Sequence, residues 1–70
     1  MATTDLRIHL SHPVTGQTAT VTPVAGPTLR SAVHVDGTLV RTDPLPANEA
    51  AWELIFGGFW VTQVEVLAPA

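Results

Sequence analysis

Chemistry in a chain this short would have to come from its histidines, hydroxyls and carboxylates. His9 and His12 stand close together with His34 further on, and clustered imidazoles are what a zinc ion would use first. The pattern works against a metal. His9 falls on the polar side of an alternating segment and His12 in a turn, with no further ligand near them in sequence, so both are expected to be surface or hydrogen-bonding histidines. Ser11 beside His12 is a neighbour along the chain, which does not make a nucleophile and base. Asp36 and Asp43 have turn and connector duties, and Glu49 and Glu53 fall on one exposed helix face. A domain of this size seldom holds a pocket large enough for catalysis. Gly57-Gly58 follows a helix instead of preceding one, which is the wrong order for a phosphate loop. The expectation is a protein with no catalytic residue, no cofactor, no metal and no small-molecule substrate.

The residues left without such a duty are apolar. Trp52 and Phe56 on the predicted helix and Phe59 on the last strand suffice for an internal core, which leaves Trp60 over. A tryptophan on the far face of a strand, beside Val64 and Val66, has the character of an interface anchor. Arg7 and Arg30 are the candidate rim contacts. Trp60, Val64, Val66, Arg7 and Arg30 therefore make up the predicted partner-binding set.

Several elements must position them. Residues 5–11 alternate, with Leu6, Ile8 and Leu10 on one side and Arg7, His9 and Ser11 on the other, the period of a half-buried strand. His12-Pro13-Val14-Thr15-Gly16 supplies a turn. Residues 17–24 read as a second strand with Ala19 and Val21 on one face and Thr18, Thr20 and Thr22 on the other, which Pro23 ends or places at an edge. After the loop Ala25-Gly26-Pro27, residues 29–35 and 38–42 flank Asp36-Gly37, the strongest hairpin signal in the chain. That turn places Val33 opposite Val40 on an inward face, with Ala32 opposite Arg41 and His34 opposite Leu39 on the other. Asp43-Pro44-Leu45-Pro46 is a stiff connector. Asn48 is then the expected N-cap of a helix over 49–56, stopped by a left-handed Gly57. Ala51, Trp52, Ile55 and Phe56 form its inward stripe, with Glu49 and Glu53 facing water. The last strand, 59–67, carries Phe59 and Val61 on one face and Trp60, Val64 and Val66 on the other. It must be covered on both sides or meet a partner.

Composition sharpens that choice. The chain has 70 residues and no cysteine, so it forms one domain with a thin core and has no disulfides to support it. Residues 1–4 and 68–70 read as frayed tails. Charged residues make up 13%, against about 25% in an average domain, which points to surface hidden in an assembly. The net charge is −3, and the cations are only Arg7, Arg30 and Arg41. A row of phosphates or an anionic lipid surface would go unneutralised, so neither nucleic acid nor membrane is an expected partner. The N-terminus shows no basic segment followed by an apolar core, and the expected place of synthesis is a cytoplasm.

The His12-Pro13-Val14-Thr15-Gly16 turn with Ala19-Thr20-Val21, followed later by Glu49-Ala50-Ala51-Trp52-Glu53-Leu54 and Gly58-Phe59-Trp60-Val61, resembles short proteins of actinobacterial tailed phages. Those are encoded near the capsid and tail genes. The resemblance covers roughly half of the chain, and the hairpin of residues 29–42 stands between its two parts. It implies a virion component, assembled in the host cytoplasm, that decorates the capsid, serves as a minor capsid protein or sits at the head-to-tail junction.

The combined expectation is an α+β fold, a small mostly antiparallel sheet or partial barrel of four to five strands with one short helix. Its function is that of a structural subunit bound to a major capsid or other virion protein, or to itself. The alternative is a small regulatory module, a phage-encoded inhibitor of a host protein. A small oligonucleotide-binding barrel comes last, since it needs basic residues beside exposed aromatics.

Overall fold

The alternation of apolar and polar residues in the first half of the chain produces strands joined by tight turns. The computed structural model describes residues 5–24 and 30–67. It contains β1 (Asp5–Ser11), β2 (Thr18–Val24), β3 (Arg30–Val35), β4 (Thr38–Asp43), α1 (Ala47–Phe56) and β5 (Trp60–Leu67). All five strands form one sheet of order β4-β3-β2-β1-β5 in which every neighbouring pair is antiparallel. The fold is α+β, and the sheet is open, not closed into a barrel. The predicted loop Ala25-Gly26-Pro27, Leu29 and the two predicted tails lie outside the described residues.

Local chemistry sets the turns. Asp36 and Gly37 have φ of 52° and 84°, the left-handed pair that a type I′ hairpin requires. Asp36 is also pinned, since its Oδ1 accepts a hydrogen bond from the Thr18 amide at 3.0 Å. Between β1 and β2 the His12 amide donates to the Gln17 carbonyl, and the Gly16 amide, at a φ of 76°, donates to the His12 carbonyl. The His12 ring completes that loop, with Nδ1 accepting from the Val14 and Thr15 amides at 3.2 Å each.

One face of the sheet is covered by α1. The core consists of Ile8, Leu10, Ala19, Val21 and Val33 from the strands and Ala47, Ala50, Ala51 and Leu54 from the helix. Burial of each larger member, such as Leu10 or Val21, contributes about 1.5–3 kcal/mol. Ser31 is fully buried among them, and its hydroxyl donates to the Leu45 carbonyl at 2.7 Å, which ties the connector to β3.

The helix differs from expectation in three ways. It starts at Ala47 with Pro46 as N-cap and without a side-chain cap, because the Pro46 carbonyl accepts from the Glu49 and Ala50 amides. Asn48 therefore lies inside the first turn. The buried stripe is Ala47, Ala50, Ala51 and Leu54, an i, i+3, i+4, i+7 set whose small side chains let the helix approach the sheet. Ala51 belongs to it as expected, whereas Trp52 and Phe56 turn outward, 53% and 82% exposed. Finally, Gly57 has an ordinary φ of −83°. The left-handed residue is Gly58 at 104°, where an added Cβ would lie 2.7 Å from His12 Nε2. Only glycine fits there, since both the backbone and the neighbouring ring exclude a side chain.

Candidate protein-binding surface

Two bulges decide which side chains share a face. In an antiparallel pair, residues directly opposite point the same way, and an extra residue on one strand reverses the alternation beyond it. Between β3 and β4 the register passes from His34 opposite Leu39 to Val33 opposite Arg41, so Val40 is the extra residue. Val33 thus faces inward as expected, but its partner is Arg41, and Ala32 lies opposite Thr42. The shift turns Arg41 to the helix side. There its Nε donates to Asp43 at 2.9 Å and its NH2 group to Glu53 at 2.8 Å, so Glu53 is an ion-pair partner and not merely a solvated acid.

The second bulge lies in β5. Ser11 is opposite Trp60, Leu10 opposite Val61 and His9 opposite Gln63, which makes Thr62 the extra residue. Its hydroxyl donates to the His9 carbonyl at 3.2 Å and so satisfies a backbone group at the irregularity. Beyond it Ile8 is opposite Val64 and Leu6 opposite Val66. The expected grouping of Trp60 with Val64 and Val66 is therefore corrected. The valines lie on the helix side with Val61, and Trp60 lies on the open face with Ser11. The strand itself begins at Trp60 and not at Phe59.

The sheet places β5 at an edge, outside the strands that α1 covers most closely. Val61, Val64 and Val66 are consequently 45%, 51% and 67% exposed although they point to the helix side. Ile55, Phe59, Trp60 and Val61 line a shallow depression of about 270 Å³ where β5 leaves the helix. Above it Trp52 and Phe56 lean on one another, ring centroids 5.8 Å apart. Trp52, Phe56 and the three valines together leave on the order of 500 Å² of apolar surface in water. Sequence reasoning places Trp52 and Phe56 in the core, and the structure places them outside it. The signal that identifies them is the competing alanine stripe, which has the stricter helical spacing.

The open face is different in kind. Arg7 and His9 both reach Glu65, at 3.4 and 3.1 Å. The hydrogen bond with His9 is the main cause that holds the Glu65 carboxyl below its ordinary value, with the charge of Arg7 adding to it and desolvation opposing. Arg30 is exposed on this face opposite Val24. The structure thus places Arg7 and Arg30 across the sheet from Val64 and Val66, and the five predicted contact residues do not form one patch. Trp60 is 69% exposed and shares its face with Arg7.

His12 is structural here. Besides holding the first turn, its ring packs edge-on against Phe59, centroids 5.1 Å apart. Among the described residues no group of three or more His, Asp or Glu side chains is placed to hold a metal ion, and no helix is long and apolar enough to cross a membrane. Comparison with known proteins returned no matching family model, no matching curated protein and no matching solved structure. The surface must be read from its own geometry.

Proposed function

We propose that this chain is a structural protein-binding subunit of a phage virion, a capsid decoration, minor capsid or head-to-tail protein that joins the particle in the host cytoplasm. The observation that carries the reading is the exposure of large apolar side chains, Trp52 and Phe56 on the outer side of the helix and Val61, Val64 and Val66 on an edge strand that the helix covers only in part. These side chains stand on a helix and a strand, so they meet another protein without rearrangement of the backbone. Phe56 and Trp52 are the large anchors, of the type that dominates binding energy. The likeness to small virion proteins of actinobacterial tailed phages directs the choice of partner to a capsid or other virion protein.

The test is to add purified chain to phage particles that lack it and follow binding by light scattering and co-sedimentation. Binding that falls at least tenfold in Phe56→Glu and in Val66→Glu protein, both still folded by circular dichroism, supports the proposal. A wild-type chain that ignores capsids and captures one host protein overturns it in favour of an inhibitor.

A further inference from the structure

The outer edge of β5 is unpaired among the described residues. Edge strands are ordinarily blunted by lysine, proline, bulges or charges. β4 has such protection, with a bulge at Val40, a charged Arg41 and an end at Asp43-Pro44. β5 has its bulge early, at Thr62, and then runs regularly through Gln63, Val64, Glu65, Val66 and Leu67 without proline or lysine. Its single charge, Glu65, is drawn to the open face by Arg7 and His9. This segment is a free template for strand addition.

We infer that the occupant of this edge is a second copy of the chain, with the two β5 strands antiparallel about a two-fold axis at Val64. The segment selects its own register. Pairing about Glu65 sets two carboxylates opposite one another, which is repulsive. Pairing about Val66 sets Glu65 against Leu67, and pairing about Gln63 brings Glu65 against Val61, across the bulge. About Val64, valine meets valine on the helix side, each Gln63 meets the partner's Glu65 on the open side, and the regular pairing ends where Val66 reaches the partner's bulge at Thr62. The Gln63 amide then donates to a carboxylate that Arg7 and His9 already hold on that face.

The two-fold axis runs perpendicular to the sheet, so both helices stay on one face of a continuous ten-stranded sheet. Val61, Val64 and Val66 of both copies form one apolar floor between those helices. The joint is a single pair of short strands, smaller than the roughly 1,200–2,000 Å² of a stable interface, so the dimer is concentration-dependent. Its existence does not depend on the partner proposed above.

The chain has no native cysteine, which makes disulfide trapping specific. Directly opposite Cβ atoms lie about 4.5–5.5 Å apart, near disulfide reach. Val64→Cys protein is expected to crosslink as a homodimer under mild oxidation, at least tenfold faster than Val66→Cys or Gln63→Cys protein. A mixture of Gln63→Cys and Glu65→Cys chains is expected to crosslink to each other. Sedimentation of the wild-type chain up to about 1 mM should show dimer that Val64→Lys abolishes. Sedimentation as monomer throughout, or Val64→Cys crosslinking no faster than Val66→Cys, overturns the inference. A monomer that still coats capsids sinks only the pairing, whereas a dimer that ignores capsids sinks only the proposed function.

Discussion

The two sides of α1 meet the sheet in opposite ways. On the β4 side, a bulge at Val40 swings Arg41 to the helix side of the sheet, where it joins Asp43 and Glu53. On the β5 side, a bulge at Thr62 swings Val64 and Val66 to the helix face beside Val61, where all three stay about half or more exposed. The same device therefore closes one flank with polar contacts and leaves the other apolar and bare. What differs is the residue that the bulge presents. An arginine finds partners within its own domain, while a valine can only be satisfied by more apolar surface.

The largest test of this comparison is at the turn that aims β5. Gly58→Ala puts a side chain at a φ of 104° and 2.7 Å from His12 Nε2, and is expected to cost about 2–3 kcal/mol in urea unfolding. Gly57→Ala, with an ordinary φ and its nearest contact at 3.4 Å, should cost less than about 0.5 kcal/mol. Equal losses would mean that the β5 flank is not set by this turn.

Thr62→Val keeps the shape of the bulge and deletes its hydrogen bond to the His9 carbonyl. A loss of about 0.5–1 kcal/mol is expected, together with faster amide exchange in β5 than in β4. On the opposite flank, Arg41→Met removes both ion pairs while keeping the stem. Arg41 and Glu53 are exposed and only Asp43 is half-buried, so the loss is about 0.5 kcal/mol or less and shrinks as salt is added. A loss from Arg41→Met larger than that from Thr62→Val would mean that the ion pairs on the β4 flank outweigh the hydrogen bond that seats the β5 bulge.

The smallest effect concerns the open face behind β5. Glu65 has a lower pKa in the folded chain than its ordinary value, so the unfolded state binds its proton first. Its contribution is complete at neutral pH and is lost as pH falls through the acid range below that ordinary value. Glu65→Gln should lower the thermal midpoint slightly at neutral pH and flatten its fall with pH in the acid range. An unchanged acid slope would mean that Arg7 and His9 do not hold the carboxylate.

Much of the architecture was legible in local signals. The alternation of Leu6, Ile8 and Leu10 marks β1 and its inward face, and Asp36-Gly37 marks the second hairpin. The exposed surface was legible only in part. Trp60, Val64 and Val66 are exposed as expected, but simple counting by twos put them together. A single extra residue at Thr62 separates them, and threonine in a β-rich segment gives no warning of a bulge. The helix misled for another reason. Trp52 and Phe56 have the greater hydrophobicity, yet Ala47, Ala50 and Ala51 have the size that close packing on a sheet demands.

The amino-acid sequence by itself determined the elements, their turns, the poverty of charge and the absence of cysteine, because these are properties of neighbouring residues and of composition. Tertiary structure alone decided which faces the side chains share, that β5 lies at an edge, and how far one helix of 10 residues reaches. Those depend on register and strand order, which are settled by pairings between residues as much as 62 positions apart, such as Asp5 with Leu67.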